Sequence, residues 1–189
     1  HVEMQFEPVA AALAYEQSLT REELALIVDL GGGTSDFAVA RLSPERSCSL
    51  DRSSDILGRS GIHIGGTDFD RQLSINHVMP MLGYHALIGP KKLPMPSHFY
   101  HDLATWHRIP TLYTPQNINY LRSIVSELDQ PELVKQLIDV FIERKGHRIA
   151  AAVEAAKIAL SKRANATLCV PLTPPIDKTL NQTHLNEAV

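Results

Sequence analysis

The 189-residue sequence predicts a protein of the α/β class, and three observations lead to that prediction. Two apolar, β-branched runs flank a glycine-rich turn in LIVDLGGGTSDFAVA, residues 26–40, which is typical of a strand–turn–strand unit. Apolar residues recur at helical spacing through much of the second half of the chain. The apolar content of 44% and the charged content of 21% are those of an ordinary globular protein with a buried core.

The first third of the chain predicts one helix and three strands. HVEMQF, residues 1–6, alternates in polarity, and Glu7-Pro8 then opens the helix-forming run VAAALAYEQ, because proline suits a first helical turn. LALIVDL, residues 24–30, is nearly all apolar, so we expect a strand that is buried on both faces. DFAVARL predicts the second strand, and ILGRSGIHIGG predicts a third that runs into another glycine turn.

The rest of the chain is predicted to be mainly helical. Residues 68–82 favour a helix that ends near Pro80, and residues 83–116 lose periodicity, which indicates an ordered insertion or a mobile flap. Three apolar stripes then predict three helices, the second beginning near Pro131, and ATLCVPL predicts a strand after them. The stripes are Ile118, Leu121, Val125 and Leu128; Leu133, Leu137, Ile138 and Phe141; and Ile149, Val153, Ala156 and Leu160.

Composition and charge argue against two classes of partner. The net charge is −3 and no basic block is present, which speaks against nucleic acid because clustered Lys and Arg hold phosphate backbones. No apolar run approaches the length of a membrane span, so we expect no membrane partner and a cytoplasmic location.

The residues of the glycine turn indicate a phosphate site with a bound cation. A P-loop needs a Lys-Ser/Thr pair that opens a helix, and a dinucleotide fingerprint also leads into a helix, whereas a strand follows here. Gly31, Gly32 and Gly33 leave the backbone bare, so successive N–H groups can approach a phosphate. Asp29 and Asp36 flank the turn, and carboxylates beside phosphates require a hard cation such as Mg²⁺ between them.

Thr34 follows the glycines and supplies a hydroxyl donor near a terminal phosphate. The alternative interpretation is a structural turn whose two acids face solvent, and the motif by itself leaves that alternative open. A zinc site formed by His98, His101 and His107 is a weaker alternative, because no fourth ligand is evident.

Four segments together resemble the ATPase domain of the seventy-kilodalton heat-shock chaperones, in the same order along the chain. They are FEPVAAALAYE, LIVDLGGGTSDFAVA, IHIGGTDFD and RIAAAVEAAKIALSK. The resemblance implies the actin-like ATPase (ribonuclease H-like) fold that this family shares with sugar kinases. The segments LPMPSHFYHDLATWH and ELVKQLIDVFIERKGHRI are similar to the divergent YegD-type branch.

The resemblance also implies a domain organisation. It places residues 1–22 at the end of a first lobe with its connecting helix, residues 23–64 in the phosphate-binding sheet of the second lobe, and residues 65–189 in a mainly helical second subdomain with the insertion 83–116. The family's first phosphate loop and catalytic lysine would then lie outside the chain. We therefore expect a fragment that is inactive or nearly so by itself, because phosphoryl transfer needs both sides of the cleft.

The resemblance assigns roles to the residues that match the family's motifs. Glu7 matches an acid that contacts waters around the metal, and Asp29 and Asp36 match the aspartates that orient Mg²⁺ waters. The catalytic positions are Glu7, Asp29, Thr34 and Asp36, and the nucleotide-binding positions are Gly31, Gly32, Gly33, Thr34, Gly65, Gly66, Glu154, Lys157 and Ser161. The last three, matched to adenosine contacts, share one helix face at i, i+3 and i+7, and a solvated face with a Glu–Lys pair is the alternative.

Three positions depart from the family's pattern. Ile158 stands where the family has an arginine that stacks on adenine, Thr67 replaces an acid in the second glycine turn, and Ser35 replaces a bulky residue in the first. An aliphatic side chain packs on a base without a cation–π interaction. We therefore expect weaker or less selective binding of the base.

The function implied is that of an ATP-binding and ATP-hydrolysing module of a heat-shock-type molecular chaperone, with ATP or ADP and Mg²⁺ as cofactors. Nucleotide-driven opening and closing of two lobes would change the affinity for a protein client or co-chaperone. Two alternatives stay open, an actin-like sugar kinase and a filament-forming or regulatory actin relative. The substrate-side aspartate that a sugar kinase needs is not evident in the sequence.

Overall fold

The computed structural model describes residues 7–49 and 52–187, so the alternating segment 1–6 lies outside the described residues. The chain is mixed α/β, as predicted, and divides into two compact units, His1–Asp68 and Phe69–Val189. The α-helices are α1 (Glu7–Glu16), α2 (Gly66–His77), α3 (His98–Leu103), α4 (Pro115–Ile124), α5 (Pro131–Ile142), α6 (Gly146–Leu160) and α7 (Gln182–Asn186). The strands are β1 (Glu23–Leu30), β2 (Ser35–Leu42), β3 (Ile56–Ile62), β4 (Leu87–Ile88), β5 (Leu93–Pro94), β6 (Asn165–Val170) and β7 (Ile176–Asn181).

The first unit packs helix α1 on an antiparallel sheet with the strand order β1–β2–β3. The predicted helix after Glu7 and the three predicted strands are confirmed. Strands β1 and β2 pair along their full length, and the ladder ends with Leu30 opposite Ser35. Ala12 of α1 is buried with Ala40 and Leu42 of β2, so the core of this unit lies between the helix and one face of the sheet.

The prediction that β1 is buried on both faces is wrong. Only alternate residues of the strand are covered, among them Ala25 and Ile27, which pack against the α1 core. Leu24 and Leu26 point to the other face, and each is 67% exposed. The residues of β1 are apolar on both faces, but α1 covers only one of them. β1 is also an edge strand in the described sheet. An apolar composition therefore did not predict burial here.

The second unit is mainly helical, with a large core contributed by most of its helices and by the β6–β7 hairpin. Helix α2 is shorter than predicted and a 3₁₀ turn, Met79–Leu82, follows it, because Pro80 cannot supply a backbone N–H to a continuing helix. The stripe from Ile118 to Leu128 divides between α4 and a 3₁₀ turn, Val125–Glu127. The other two predicted helices are confirmed as α5 and α6, with α5 beginning at Pro131, and the predicted strand ATLCVPL is confirmed as β6.

Residues 83–116 agree with the first of the two alternatives, an ordered segment. They form the β4–β5 hairpin, helix α3, a 3₁₀ turn and the start of α4. Side chains from this segment enter the core of the second unit, among them Phe99, Tyr100, Leu103, Ile109 and Leu112. None of the helices in the described ranges is long and apolar enough to cross a membrane.

Candidate functional site

The β1–β2 connection is a four-residue turn, Gly31 to Thr34, at one end of the sheet of the first unit. The Gly31 N–H donates to the Thr34 carbonyl at 2.8 Å, which closes the turn directly after the last strand pair. Gly32, Gly33 and Thr34 are exposed. The turn therefore presents bare backbone at the surface of this unit.

Neither backbone conformation nor packing requires glycine at two of the three positions. Left-handed backbone angles occur among the described glycines only at Gly83 and Gly89, not in this turn. A Cβ at Gly32 would make an ordinary 3.8 Å contact with Thr67 Cγ2, and a Cβ at Gly33 would meet no described atom within 4 Å. The fold of this unit by itself does not account for the missing side chains at 32 and 33.

The second glycine turn docks on the first within the same unit. The Gly66 N–H donates to the Gly31 carbonyl at 3.0 Å. Thr67 donates to the Gly32 carbonyl twice, from its N–H at 2.7 Å and from Oγ1 at 2.8 Å. A Cβ at Gly65 would lie 2.5 Å from the Gly32 carbonyl carbon, so this glycine is required by the close approach of two backbones. The structure thus brings together Gly31 to Gly33 and Gly65 to Gly66, which are far apart in sequence.

The two aspartates of the turn face each other across the hairpin. Asp29 and Asp36 are direct partners in the β1–β2 ladder, and both are half-buried. Directly opposite residues of an antiparallel pair have Cβ atoms about 5 Å apart. The alternation along the strands puts both aspartates on the face that α1 covers, at the end of the sheet that carries the glycine turn. Two carboxylates at this spacing suit a hard divalent cation that keeps part of its water shell.

Glu7 approaches the same region from helix α1. With Asp36, Arg59 and Gly61 it lines a cavity of about 450 Å³ in the first unit. Glu7 is the first residue of α1, where the helix dipole favours a negative charge. Glu7 and Asp36, both predicted from the sequence as site residues, therefore line the same cavity.

Of the predicted adenosine contacts, Glu154 and Lys157 lie on α6 and Ser161 directly follows its last residue, all in the second unit. Glu154 and Ser161 are exposed, whereas Lys157 is largely covered. The Lys157 ammonium lies 2.7 Å from Asp70 Oδ2 on α2. Burial raises the pKa of the Asp70 carboxyl above its ordinary value, and the charge of Lys157 acts in the opposite direction.

The sequence does not indicate the contacts that Thr67 and Asp70 make. Thr67 stands out in the sequence only as a departure from the family's pattern, and nothing there indicates that its hydroxyl binds another turn. Asp70 and Lys157 are 87 positions apart, so no local spacing could have predicted their contact. Both interactions depend on how distant segments pack.

The histidines of the weaker zinc alternative do not form a metal site in the structure. In the described ranges, no group of three or more His, Cys, Asp or Glu side chains is arranged to hold a metal ion directly. His101 lies instead beside Arg71 and Tyr84, 3.5 Å and 3.4 Å away.

Comparison with known proteins shows similarity to chaperones over part of the chain. No family model matches. The chain is 42% identical over 73 residues to the chaperone protein DnaK of Prochlorococcus marinus, which is 38% of this chain and 10% of that protein. It is 41% identical over 69 residues to the chaperone protein HscA of Buchnera aphidicola subsp. Schizaphis graminum, 36% of this chain and 10% of that protein. It is 40% identical over 68 residues to the stromal 70 kDa heat shock-related protein, chloroplastic, of Spinacia oleracea, 35% of this chain and 10% of that protein.

The chain is therefore an α/β protein that contains a region similar to seventy-kilodalton heat-shock chaperones. The similarity spans about a tenth of the length of those relatives. This agrees with the family to which the sequence motifs pointed.

Proposed function

We propose that the chain is the nucleotide-binding part of a heat-shock-type chaperone ATPase with the actin-like fold, from the divergent YegD-like branch. One observation carries the proposal: neither backbone conformation nor packing requires glycine at positions 32 and 33. Bare amides beside two facing carboxylates suit a phosphate chain with its cation. The similarity to chaperones named DnaK and HscA supports the same conclusion.

Each residue of the first unit has a distinct task in this proposal. The N–H groups of Gly32 and Gly33 donate to phosphate oxygens, and the Thr34 hydroxyl donates to the terminal phosphate. Asp29 and Asp36 hold the waters of Mg²⁺, and Glu7 contacts waters near the cation. Mg²⁺, when bound, neutralises charge on the phosphates. Gly65 and Gly66 support the phosphate turn through the contacts between the two turns.

The remaining assignments concern the nucleoside and the partners. We assign Glu154, Lys157 and Ser161 to the ribose and base, on the strength of the resemblance. Nucleotide-driven opening and closing of two lobes would change the affinity for a protein client or co-chaperone, which is a coupling of two sites. The chaperone names of the relatives support this partner class.

A substitution at Gly33 tests the proposal. Gly33→Val places a side chain where the structure has open space, so the fold should tolerate it while a phosphate could no longer approach. Gly58→Val on β3 is the matched control, because a Cβ there also meets no described atom within 4 Å. The measurements are calorimetric Mg-ATP affinity and thermal unfolding, in the longest natural polypeptide that carries this sequence.

We expect Gly33→Val to abolish measurable Mg-ATP binding while its unfolding temperature stays close to that of the wild type. Gly58→Val should bind as the wild type does. An unchanged affinity in Gly33→Val would show that the turn is only structural.

A further inference from the structure

Thr67 makes two hydrogen bonds to one peptide group of the Gly31–Thr34 turn. Its backbone N–H and its side-chain Oγ1 both donate to the Gly32 carbonyl, at 2.7 Å and 2.8 Å. Thr67 lies in the first turn of α2, whose start is fixed in the same unit by the Gly65 N–H bond to Asp68 Oδ2 at 2.9 Å. The carbonyl of Gly32 is therefore held from one side by two donors.

This contact determines where the next N–H group points. In a trans peptide the carbonyl and the following N–H point in opposite directions, and the one cis peptide in the described residues is Thr173–Pro174. Because the Gly32 carbonyl points toward Thr67, the Gly33 N–H points away from it. The Gly31 carbonyl likewise accepts from the Gly66 N–H, so the Gly32 N–H points away from Gly66. Within residues 7–49 and 52–187, neither of these two N–H groups donates to a backbone acceptor.

We infer that Thr67 is a positioning residue, whose hydroxyl holds the Gly32–Gly33 peptide in the orientation that presents the Gly33 N–H to a phosphate. The inference rests on the proposed function. A peptide between two glycines meets little steric resistance to rotation, so hydrogen bonds to its carbonyl must select the orientation. The hydroxyl adds a second bond to the one that the backbone N–H of Thr67 makes, and one such bond shifts an equilibrium about three- to tenfold.

Two substitutions separate the hydroxyl from the rest of the side chain. Thr67→Val keeps the shape, the backbone N–H and the methyl group near Gly32, and removes the hydroxyl donor. Thr67→Ser keeps the donor and removes the methyl group. If Thr67 acts through packing, Thr67→Ser should lose more Mg-ATP affinity than Thr67→Val. If Thr67 positions the peptide, Thr67→Val should lose more.

The first measurement is affinity for Mg-ATP and for adenosine, which has no phosphates, in wild type and both variants. We expect Thr67→Val to bind Mg-ATP about three- to tenfold more weakly, with adenosine affinity unchanged. Thr67→Ser should stay within about twofold of the wild type. Equal Mg-ATP affinity in all three proteins would overturn the inference, as would equal losses for ATP and adenosine.

The second measurement reads the peptide without a nucleotide. In nitrogen–proton correlation spectra of the free protein, the Gly33 amide signal should move in Thr67→Val and stay near its wild-type position in Thr67→Ser. An unmoved signal in Thr67→Val would overturn the positioning role. If the wild type shows no Mg-dependent affinity for ATP, the proposed function fails, and the assignment of the Gly33 N–H to a phosphate fails with it, whatever the amide signal does.

Discussion

The carboxylate of Asp36 lies over Gly61, its direct partner in the β2–β3 ladder. A Cβ at position 61 would meet Asp36 Oδ1 well inside van der Waals contact. Gly61 has no left-handed backbone angle, so a side chain there would displace the Asp36 carboxylate without straining the backbone conformation. The Asp36 carboxylate thus occupies space that is open because Gly61 on β3 has no side chain.

Gly61→Ala should move the Asp36 carboxylate without unfolding the sheet, because the end of a side chain can rotate away from the new methyl group. We expect the Mg²⁺-dependent part of ATP affinity to fall about tenfold, roughly the effect of a lost hydrogen bond to a charged group. Titration of ATP affinity against Mg²⁺ concentration measures it. Gly58→Ala on the same strand is the control, and equal Mg²⁺ dependence in both variants would contradict the prediction.

Lys157→Ala tests the nucleoside assignment. If Lys157 contacts the adenosine part, its removal should weaken ATP, ADP and adenosine by similar factors, about tenfold for a charge-assisted hydrogen bond. Equilibrium titration with the three ligands measures this. Lys135→Ala is the control, since Lys135 on α5 is exposed and pairs with Glu132 alone among the described ion pairs. Retained adenosine affinity in Lys157→Ala would count against the assignment.

A buried ion cluster joins the end of α1 to the segment after β2, and its loss should destabilise the first unit. Glu16 is 2% exposed and accepts two bonds of 2.8 Å from the Arg52 guanidinium and one of 2.9 Å from the Ser43 N–H. Arg52 also pairs with Asp55. Glu16→Gln leaves a buried guanidinium with one charged partner fewer, which we expect to cost about 3 kcal/mol in the free energy of unfolding.

Urea denaturation measures this cost. Glu132→Gln, which breaks an exposed pair, is the control and should cost at most about 0.5 kcal/mol. Similar losses in the two variants would show that the cluster does not stabilise the fold.

The same cluster predicts sensitivity to acid. The hydrogen bonds from Arg52 lower the pKa of Glu16 below its ordinary value of 4.5. For Asp55, burial acts to raise the pKa, but Arg52 and Arg46 outweigh it and the pKa is lowered. A carboxyl with a lowered pKa in the folded state stabilises the fold above its ordinary pKa, and this is lost as pH falls through the lowered value. As the pH drops below about 4.5, the free energy of unfolding should decrease, and it should decrease less steeply in Glu16→Gln than in the wild type.

His77, in the second unit, predicts a further pH dependence of the free energy of unfolding. Burial, with Lys178 and His184 nearby, lowers its pKa from 6.5 to about 4. The unfolded chain therefore binds the proton first, and the free energy of unfolding should fall as pH drops from 6.5 toward 4. Unfolding of the wild type and His77→Gln at several pH values between these limits measures it. An equal pH slope in the two proteins would contradict the assignment to His77.

Local patterns in the sequence predict much of the fold. The strands on either side of Gly31 to Thr34 follow from apolar, β-branched runs, and the helices α5 and α6 follow from apolar periodicity. Both signals are properties of neighbouring residues. The pattern of β1 predicted a strand correctly and its burial wrongly. Burial depends on which elements cover a strand, and no residue of LALIVDL encodes that.

The sequence by itself determined the α/β class, the glycine turn with its two acids, and the resemblance to chaperone ATPases. Only the tertiary structure decided that Thr67 donates to the Gly32 carbonyl, that the Asp36 carboxylate lies over Gly61, and that Lys157 pairs with Asp70. The physical reason is that these contacts join atoms from segments 25 to 87 positions apart. Such contacts are fixed when the strands and helices pack, and they leave no periodic signal in either segment alone.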